Sequence, residues 1–416
     1  MTVFINVLIL VSFFLEICIL SYLEVKTWKT VFTPLLFLII PYSIILILSI
    51  SLSGNRMGFI DFYYPSIIIW NVGLLIFSIP SIIFGRYLTS YGVISNPKIE
   101  NDNAPILIKI VGLIICVLFI WHLRGVSSFS DSLIGSDDFG ENFAGHGLWG
   151  HLRQLLLSIL VISIYYVNRR DWLLMAIIIM ILVICFLYQV KGWIVIPCIA
   201  GFFLRLNCER TKLKISFFIY LLLGVCLLFA ASYIVSLSVI DGADIDEVLK
   251  FVFRNFLHYL TSGTLGLSMD MQMGFVENGG AEMVIATPIN IINKVLGNDT
   301  LFLGINSHFL NTGVNLTNVR TIFGTTFIFL SKIEWVLFFV ILSGTMYLFK
   351  YFTIIWPNIY TYSIYFFECS LLFMGWFDSY FANLTPYEFP VLTLLLFVLV
   401  RLFQSKPRLS SNNIVS

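Results

Sequence analysis

Charge is what this sequence has least of. Only 11% of its 416 residues are Asp, Glu, Lys or Arg, less than half the roughly 25% usual in soluble domains. Too little polar material is present to cover a water-soluble protein of this size. The charge that exists is balanced, at a net +1, and no basic run exceeds the scattered cluster Arg205, Arg210, Lys212 and Lys214. That excludes a basic nucleic-acid-binding surface. Several catalytic signatures are missing as well. No dinucleotide fingerprint, phosphate-cradling GK[ST] loop, HExxH or CxxC occurs, so ATP-driven transport by this chain alone is not expected. Disorder is excluded by what is abundant, since the chain holds 40 Phe, 19 Tyr and 9 Trp and disordered chains are poor in aromatics.

What remains is hydrophobic: 59% of the residues are apolar and mean hydropathy is +0.95. A membrane span needs about 20 such residues. Apolar runs fall at 3–23, 31–52, 63–85, 105–121, 148–168, 171–190, 192–206, 215–239, 333–349, 358–377 and 388–404. The sequence therefore predicts an all-α polytopic membrane protein with about eleven spans (ten to twelve), treated as one integral membrane domain over residues 1–416. The first run lacks a preceding basic region and a cleavage site, so it is read as a retained span with its N-terminus outside. Alternating from there puts Lys26, Lys29, Arg86, Lys98, Arg169, Arg170, Arg205, Arg210, Lys212, Lys214, Lys350, Arg401, Lys406 and Arg408 on the inside. Each inside connection then carries a positive charge, as the positive-inside rule requires. The seven cysteines fall in spans or, for Cys208, in an inside loop, and imply no disulfide framework.

Two connections are long, and both fall outside. Loop A covers 122–147 and loop B covers 240–332. Long connections in compact proteins tend to carry function. Loop A brings Arg124, Asp137, Asp138, Glu141 and His146 and runs into Gly147-Leu-Trp-Gly-His151-Leu-Arg153. Its acids match no calcium-loop spacing, and no metal is expected. Arg153, at the start of a span, costs about 2.5–3.5 kcal/mol to insert unless it snorkels or meets an anion or a carboxylate. Loop B contains an amphipathic stretch, Glu247–Leu260, whose polar residues Glu247, Lys250, Arg254 and His258 recur in steps of three and four. Tyr259-Leu-Thr-Ser-Gly263 reads as the turn that ends it, and Glu282–Leu296 as a second, less charged amphipathic helix. The loop closes with His308-Phe-Leu-Asn-Thr-Gly313 and Asn318-Val-Arg-Thr321. Inside the spans, Glu16, Lys109, Glu368 and the edge residue Asp378 are charged, and a pairing of Glu16 or Glu368 with Lys109 or Arg153 is the expected structural use of them.

This layout resembles the Wzy-type oligosaccharide repeat-unit polymerases, which build O-antigen and related bacterial surface polysaccharides. The likeness rests on the many Ile- and Phe-rich spans, on two dominant outside loops, and on short stretches. These are Gly147-Leu-Trp-Gly-His151-Leu-Arg153, Lys191-Gly-Trp-Ile-Val-Ile-Pro197, Tyr259-Leu-Thr-Ser-Gly263 and Asn318-Val-Arg-Thr321. It covers the whole chain in layout and little of it in sequence. Many members of that family have twelve spans and both ends inside, a departure from the eleven counted here.

The resemblance implies a GT-C-type polymerase or ligase fold in the bacterial inner membrane, with a periplasmic active face and no cofactor. It implies glycosyl transfer from a glycan on undecaprenyl pyrophosphate to a lipid-linked repeat unit, in the company of membrane lipid, a chain-length regulator and other export-pathway proteins. A pyrophosphate leaving group needs charge stabilisation more than a proton donor. The candidates for that are Arg320, Arg254 and Arg153, then Arg124 and Lys250, and the candidate bases are His308, His258, Asp137 and Glu141. The alternatives are an O-antigen ligase and a lipid-linked oligosaccharide flippase; the length of loop B argues against the flippase.

Overall fold

The computed structural model describes residues 2–54, 56–90, 104–129, 143, 147–188, 192–212, 224, 245–276 and 280–404. The helices are α1 (Thr2–Trp28), α2 (Pro34–Leu52), α3 (Ile67–Ser90), α4 (Ile106–Phe129), α5 (Gly147–Tyr166), α6 (Trp172–Leu187), α7 (Gly192–Asn207) and α8 (Ile245–Met273). They continue with the short α9 (Ala281–Val284), α10 (Ala286–Val295), α11 (Thr321–Phe329), α12 (Lys332–Ile355), α13 (Ile359–Phe373) and α14 (Thr385–Gln404). Among the described residues the only sheet is a two-stranded hairpin, β1 (Leu310–Asn311) and β2 (Leu316–Thr317), antiparallel with Leu310 opposite Thr317.

Among the described residues, seven helical segments are long and apolar enough to cross a membrane: Val3–Trp28, Pro34–Leu52, Tyr64–Leu88, Ile106–Val126, Gly147–Tyr166, Lys332–Ile355 and Thr385–Phe403. Two shorter apolar helices, Trp172–Leu187 and Gly192–Asn207, fall on two more of the expected runs. The run at 358–377 becomes α13 followed by a 3-10 turn at Met374–Trp376. The run at 215–239 lies, but for residue 224, outside the described residues. The chain is thus an all-α, multi-pass membrane protein. The physical reason is direct: in hydrocarbon each backbone N–H and C=O needs a partner within the segment, and a helix supplies it.

Local signals set several helix ends. Pro34 occupies the first turn of α2, where its missing N–H costs nothing. Ser331 and Glu334 form a reciprocal capping box at the start of α12. Asp171 caps α6 by accepting from the Leu174 N–H.

The described chain divides into two compact units. The first comprises Met1–Pro97, Leu206–Pro357 and Tyr365–Pro386. At its centre, α3 packs along α1 and α12. Tyr42 stacks on Trp70 at 3.4 Å between ring centres, and the Phe323 ring lies directly on Gly73. Ser343 donates to the Phe77 carbonyl at 2.6 Å, which binds α12 to α3. The second unit comprises Lys98–Arg205, Asn358–Ile364 and Tyr387–Ser416, and within it α4, α5 and α6 pack together. Arg205 donates from one guanidinium nitrogen to the carbonyls of Ile164, Tyr165 and Val167 at 2.8–3.1 Å. Those carbonyls end α5 and have no partner within the helix, so the arginine acts as its C-terminal cap.

Two expectations are overturned. Lys109 pairs with neither Glu16 nor Glu368. It bonds Asp171 at 2.6 Å, because α4 packs against the helix that Asp171 caps. Arg153, too, pairs with neither Glu16 nor Glu368, and its guanidinium lies 3.9 Å from the Tyr188 ring centre. The turn expected at Tyr259–Gly263 does not form, since α8 runs through it to Met273. Gly263 and Gly266 serve close approach instead. A Cβ on Gly263 would collide with the Trp376 and Phe377 carbonyls, and one on Gly266 with the Val319 carbonyl. Packing of α8 against these backbones outweighs the usual cost of a helical glycine, about 1 kcal/mol.

Candidate functional site

α8 ends beneath the segment that leads into α11, and a buried ionic cluster forms there. Asp270, in the last turn of α8, is fully buried. One carboxylate oxygen accepts from Arg320 Nε at 2.6 Å. The other faces His308 Nε2 at 3.1 Å. Arg320 Nη2 donates to the His308 carbonyl at 2.8 Å, which closes a ring of three residues. Arg320 itself is 1% exposed, and its Nη1 is buried with no hydrogen-bond partner among the described residues. The His308 side chain is 37% exposed, with Phe275 packed edge-on 4.3 Å from its ring. A half-open imidazole held by a sealed carboxylate has the geometry of a general base and its orienting group. With the carboxylate on Nε2, Nδ1 is the nitrogen left for a substrate proton.

The backbone that carries Arg320 is strained. Thr321 has φ +66, a left-handed conformation that a β-branched residue avoids at a cost of about 1–3 kcal/mol. Three contacts hold it there. Its N–H donates to the Phe377 carbonyl at 3.0 Å, its hydroxyl accepts from Trp70 Nε1 at 3.1 Å, and the same hydroxyl caps the Gly324 N–H at 3.2 Å. Asp378 joins from the next segment. Its carboxylate accepts from Thr325 Oγ1 at 2.6 Å and from the Arg320 backbone N–H. Burial pushes the Asp378 carboxyl up, against the downward pull of these donors and of the Arg320 charge.

The loop between α2 and α3 closes over α8 and the hairpin. The Tyr63 N–H donates to Ser268 Oγ at 2.6 Å and the Ile60 N–H to the Thr312 carbonyl at 3.1 Å. Gly313, at φ +89, lies against the Gly58 carbonyl. Arg254 reaches the same place: a Cβ on Gly58 would stand 2.7 Å from Arg254 Nη2.

The other residues singled out in the sequence fall in several places. Lys250 and Arg254 are exposed on one face of α8. His258 shares that face but is buried, because the hairpin covers it, and its Nδ1 sits 2.9 Å from Thr312 Oγ1. Burial lowers its pKa, and the Leu316 backbone partly restores it. His258 therefore faces a hydroxyl and a carbonyl, not a carboxylate. Arg153 and Arg124 belong to the second unit. Arg153 is buried, with Nε and Nη1 unpartnered among the described residues. Asp137 and Glu141 lie outside the described residues.

Asp270 was missed from sequence. The available signal was a single acid in the apolar run Thr264–Met273, since a buried carboxylate without a neighbour of opposite charge requires a distant partner. Glu24 was missed for a different reason. Near the end of the first run it resembles a solvated flank, yet it is 4% exposed and accepts from Ser81 and Tyr347 at 2.5 Å each.

A family model described as a family of unknown function (DUF6337) matches residues 58–406, and the chain belongs to that family. No curated protein and no solved structure matches the chain.

Proposed function

We propose that this member of the DUF6337 family polymerises lipid-linked oligosaccharide repeat units, as an eleven-span, GT-C-like glycosyltransferase acting on the periplasmic face of the bacterial inner membrane. The observation that carries the reading is the His308–Asp270–Arg320 ring, a half-open base on a buried carboxylate with one arginine donor left over. In this reading the sugar hydroxyl of the acceptor attacks the anomeric carbon of the donor. His308 takes the hydroxyl proton as the new glycosidic bond forms. The bond from the anomeric carbon to undecaprenyl pyrophosphate breaks, and the pyrophosphate leaves with the electron pair. Asp270 keeps the imidazole oriented and stabilises the imidazolium that results. Arg320 Nη1 supplies a charged donor near the departing pyrophosphate.

The spacing along α8 suits two lipid-linked substrates. Arg254 lies sixteen residues before Asp270, about 24 Å along the helix axis. Arg254 and Lys250 are too far to touch the pyrophosphate that leaves beside His308. An acceptor carries its own pyrophosphate, separated from its attacking hydroxyl by the length of a repeat unit. Arg254 and Lys250 hold that second pyrophosphate.

The test is deletion of the gene in its host, with gel separation of the surface glycans. Loss of a polymerase leaves the core capped with one repeat. Bare core with lipid-linked polymer accumulating would instead mark a ligase, and bare core with single units trapped inside a flippase. A normal ladder would overturn the reading.

A further inference from the structure

The β1–β2 hairpin lies lengthwise along α8. At its open end His308 faces Asp270, in the last turn of the helix. Toward its tip Thr312 reaches His258 at 2.9 Å, and Asn315 Nδ2 donates to Asn255 Oδ1 at 3.1 Å. The tip residue Gly313 packs on Gly58, beside Arg254. The hairpin therefore occupies the interval along α8 between Arg254 and His308.

Its two faces differ, because side chains alternate along a strand. Leu310, Thr312 and Thr317 are buried, with Thr317 against Gly266 of α8. Phe309, Asn311, Leu316 and Asn318 are exposed, Phe309 by 64% and Leu316 by 57%. Leu316 stands across from Asn311, while Phe309 directly precedes β1 and Asn318 directly follows β2. None of the four carries a charge. Asn311 is held ready: its Oδ1 accepts from the Gly313 N–H at 2.9 Å, and its Nδ2 has no partner among the described residues. Asn318 has no side-chain partner among them either.

Two apolar groups interleaved with two free amides suit one class of ligand. A sugar ring has a C–H face, which packs on an aromatic or aliphatic side chain, and a rim of hydroxyls. Each hydroxyl both donates and accepts, and a carboxamide offers a donor and an acceptor together. A phosphate would call for cations instead. A protein partner would cover about 20–30 residues, far more than four side chains on a short hairpin.

We propose that the outward face of the hairpin binds carbohydrate and, on the glycosyl-transfer reading that it rests on, holds the sugars of the acceptor. The acceptor's pyrophosphate lies at Arg254 and its attacking hydroxyl at His308, so the sugars between them lie along the hairpin. Phe309 and Leu316 pack on their C–H faces. Asn311 Nδ2 and the Asn318 amide bond their hydroxyls. α8 closes the other side, so the outward face is the one that a glycan can reach. These four residues select and hold the glycan; none touches a reacting atom.

The test uses the full-length chain in vesicles with the host's own lipid-linked repeat unit as acceptor, at a fixed concentration of lipid-linked polymer as donor. Initial rates are measured against acceptor concentration. Phe309→Ala and Asn311→Ala should each raise KM for the acceptor about five- to tenfold with kcat unchanged, and Phe309→Trp should keep the wild-type KM. Leu303→Ala, exposed but outside the hairpin, is the control and should change neither constant. All these side chains are exposed, so melting temperatures should match wild type. Unchanged KM in both hairpin alanine variants, with wild-type turnover, would overturn the proposal and leave the reaction standing. A fall in kcat at constant KM would overturn it by moving the residues into the chemistry. An equal rise in KM for Leu303→Ala would overturn it in favour of a general disturbance. No turnover by the wild type would overturn the reaction reading, and this surface with it.

Discussion

Two buried ionic clusters sit in the first unit, and they are built differently. One is His308–Asp270–Arg320. The other lies between α1, α3 and α12. There Glu24 accepts from Ser81 and from Tyr347, Trp28 Nε1 donates to Ser81 Oγ at 3.0 Å, and Lys350 stands over the Tyr365 ring at 5.0 Å. All six members of this second cluster are at most 4% exposed. Lys29, next to Trp28, is left-handed at φ +55, so backbone strain adjoins this cluster too, but no member of it opens to the outside. The first cluster has an open imidazole, an arginine nitrogen without a partner among the described residues and a left-handed threonine next to the arginine. A sealed, satisfied network ties helices together. A network with an open member and an unused donor keeps groups that a ligand could still engage.

The largest effect that could break this contrast comes from Arg320→Ala. It leaves the buried Asp270 carboxylate with only His308 against it, and loss of one partner of a buried pair costs about 3–5 kcal/mol. A large drop in melting temperature in detergent is expected, together with loss of polymer; an unchanged melting temperature would mean that the pair is not buried. Next comes Arg254→Ala. An exposed arginine that only binds should raise KM for the lipid-linked acceptor about ten- to hundredfold, for roughly 1.5–3 kcal/mol of charged hydrogen bonding, with kcat unchanged. Equal loss in kcat would move Arg254 into the reaction itself. Tyr347→Phe tests the sealed cluster. It removes one donor to Glu24 and should cost about 1–3 kcal/mol of stability while leaving the glycan ladder intact. A lost ladder at normal protein abundance would erase the distinction between the clusters.

The smallest effect is a pH dependence at His258. Its pKa is lowered in the folded state by burial, so the unfolded chain binds the proton more readily. Stability from the neutral ring is complete above the unfolded imidazole value of about 6.5 and falls as pH drops below it. Melting temperatures of wild type and His258→Asn across that range should converge on the acidic side, and parallel curves would contradict the assignment.

The membrane-spanning helices were legible because lipid imposes one rule, an apolar run of span length, on each of them. The seven that qualify all fall on runs read from sequence. Half of the candidate site was legible. His308 and Arg320 stood out as polar groups near the end of a long loop. Asp270 did not, because its meaning comes from partners 38 and 50 residues away. The turn expected at Gly263 failed for a related reason: the glycine answers to the Phe377 backbone, which is distant in sequence and touching in space. Residues whose role is set by the bilayer or by their neighbours along the chain could be read. Those whose role is set by a single long-range contact could not.

The central claim is that His308 is the base of a polymerase. The most direct measurement replaces it by alanine in the host and separates the surface glycans on a gel, with protein abundance measured alongside. His308 is partly exposed, so the variant should accumulate normally. Loss of a general base slows transfer by about 10²–10⁴-fold, and the predicted result is core capped with one repeat and no ladder. A full-length ladder from His308→Ala at normal abundance would contradict the account.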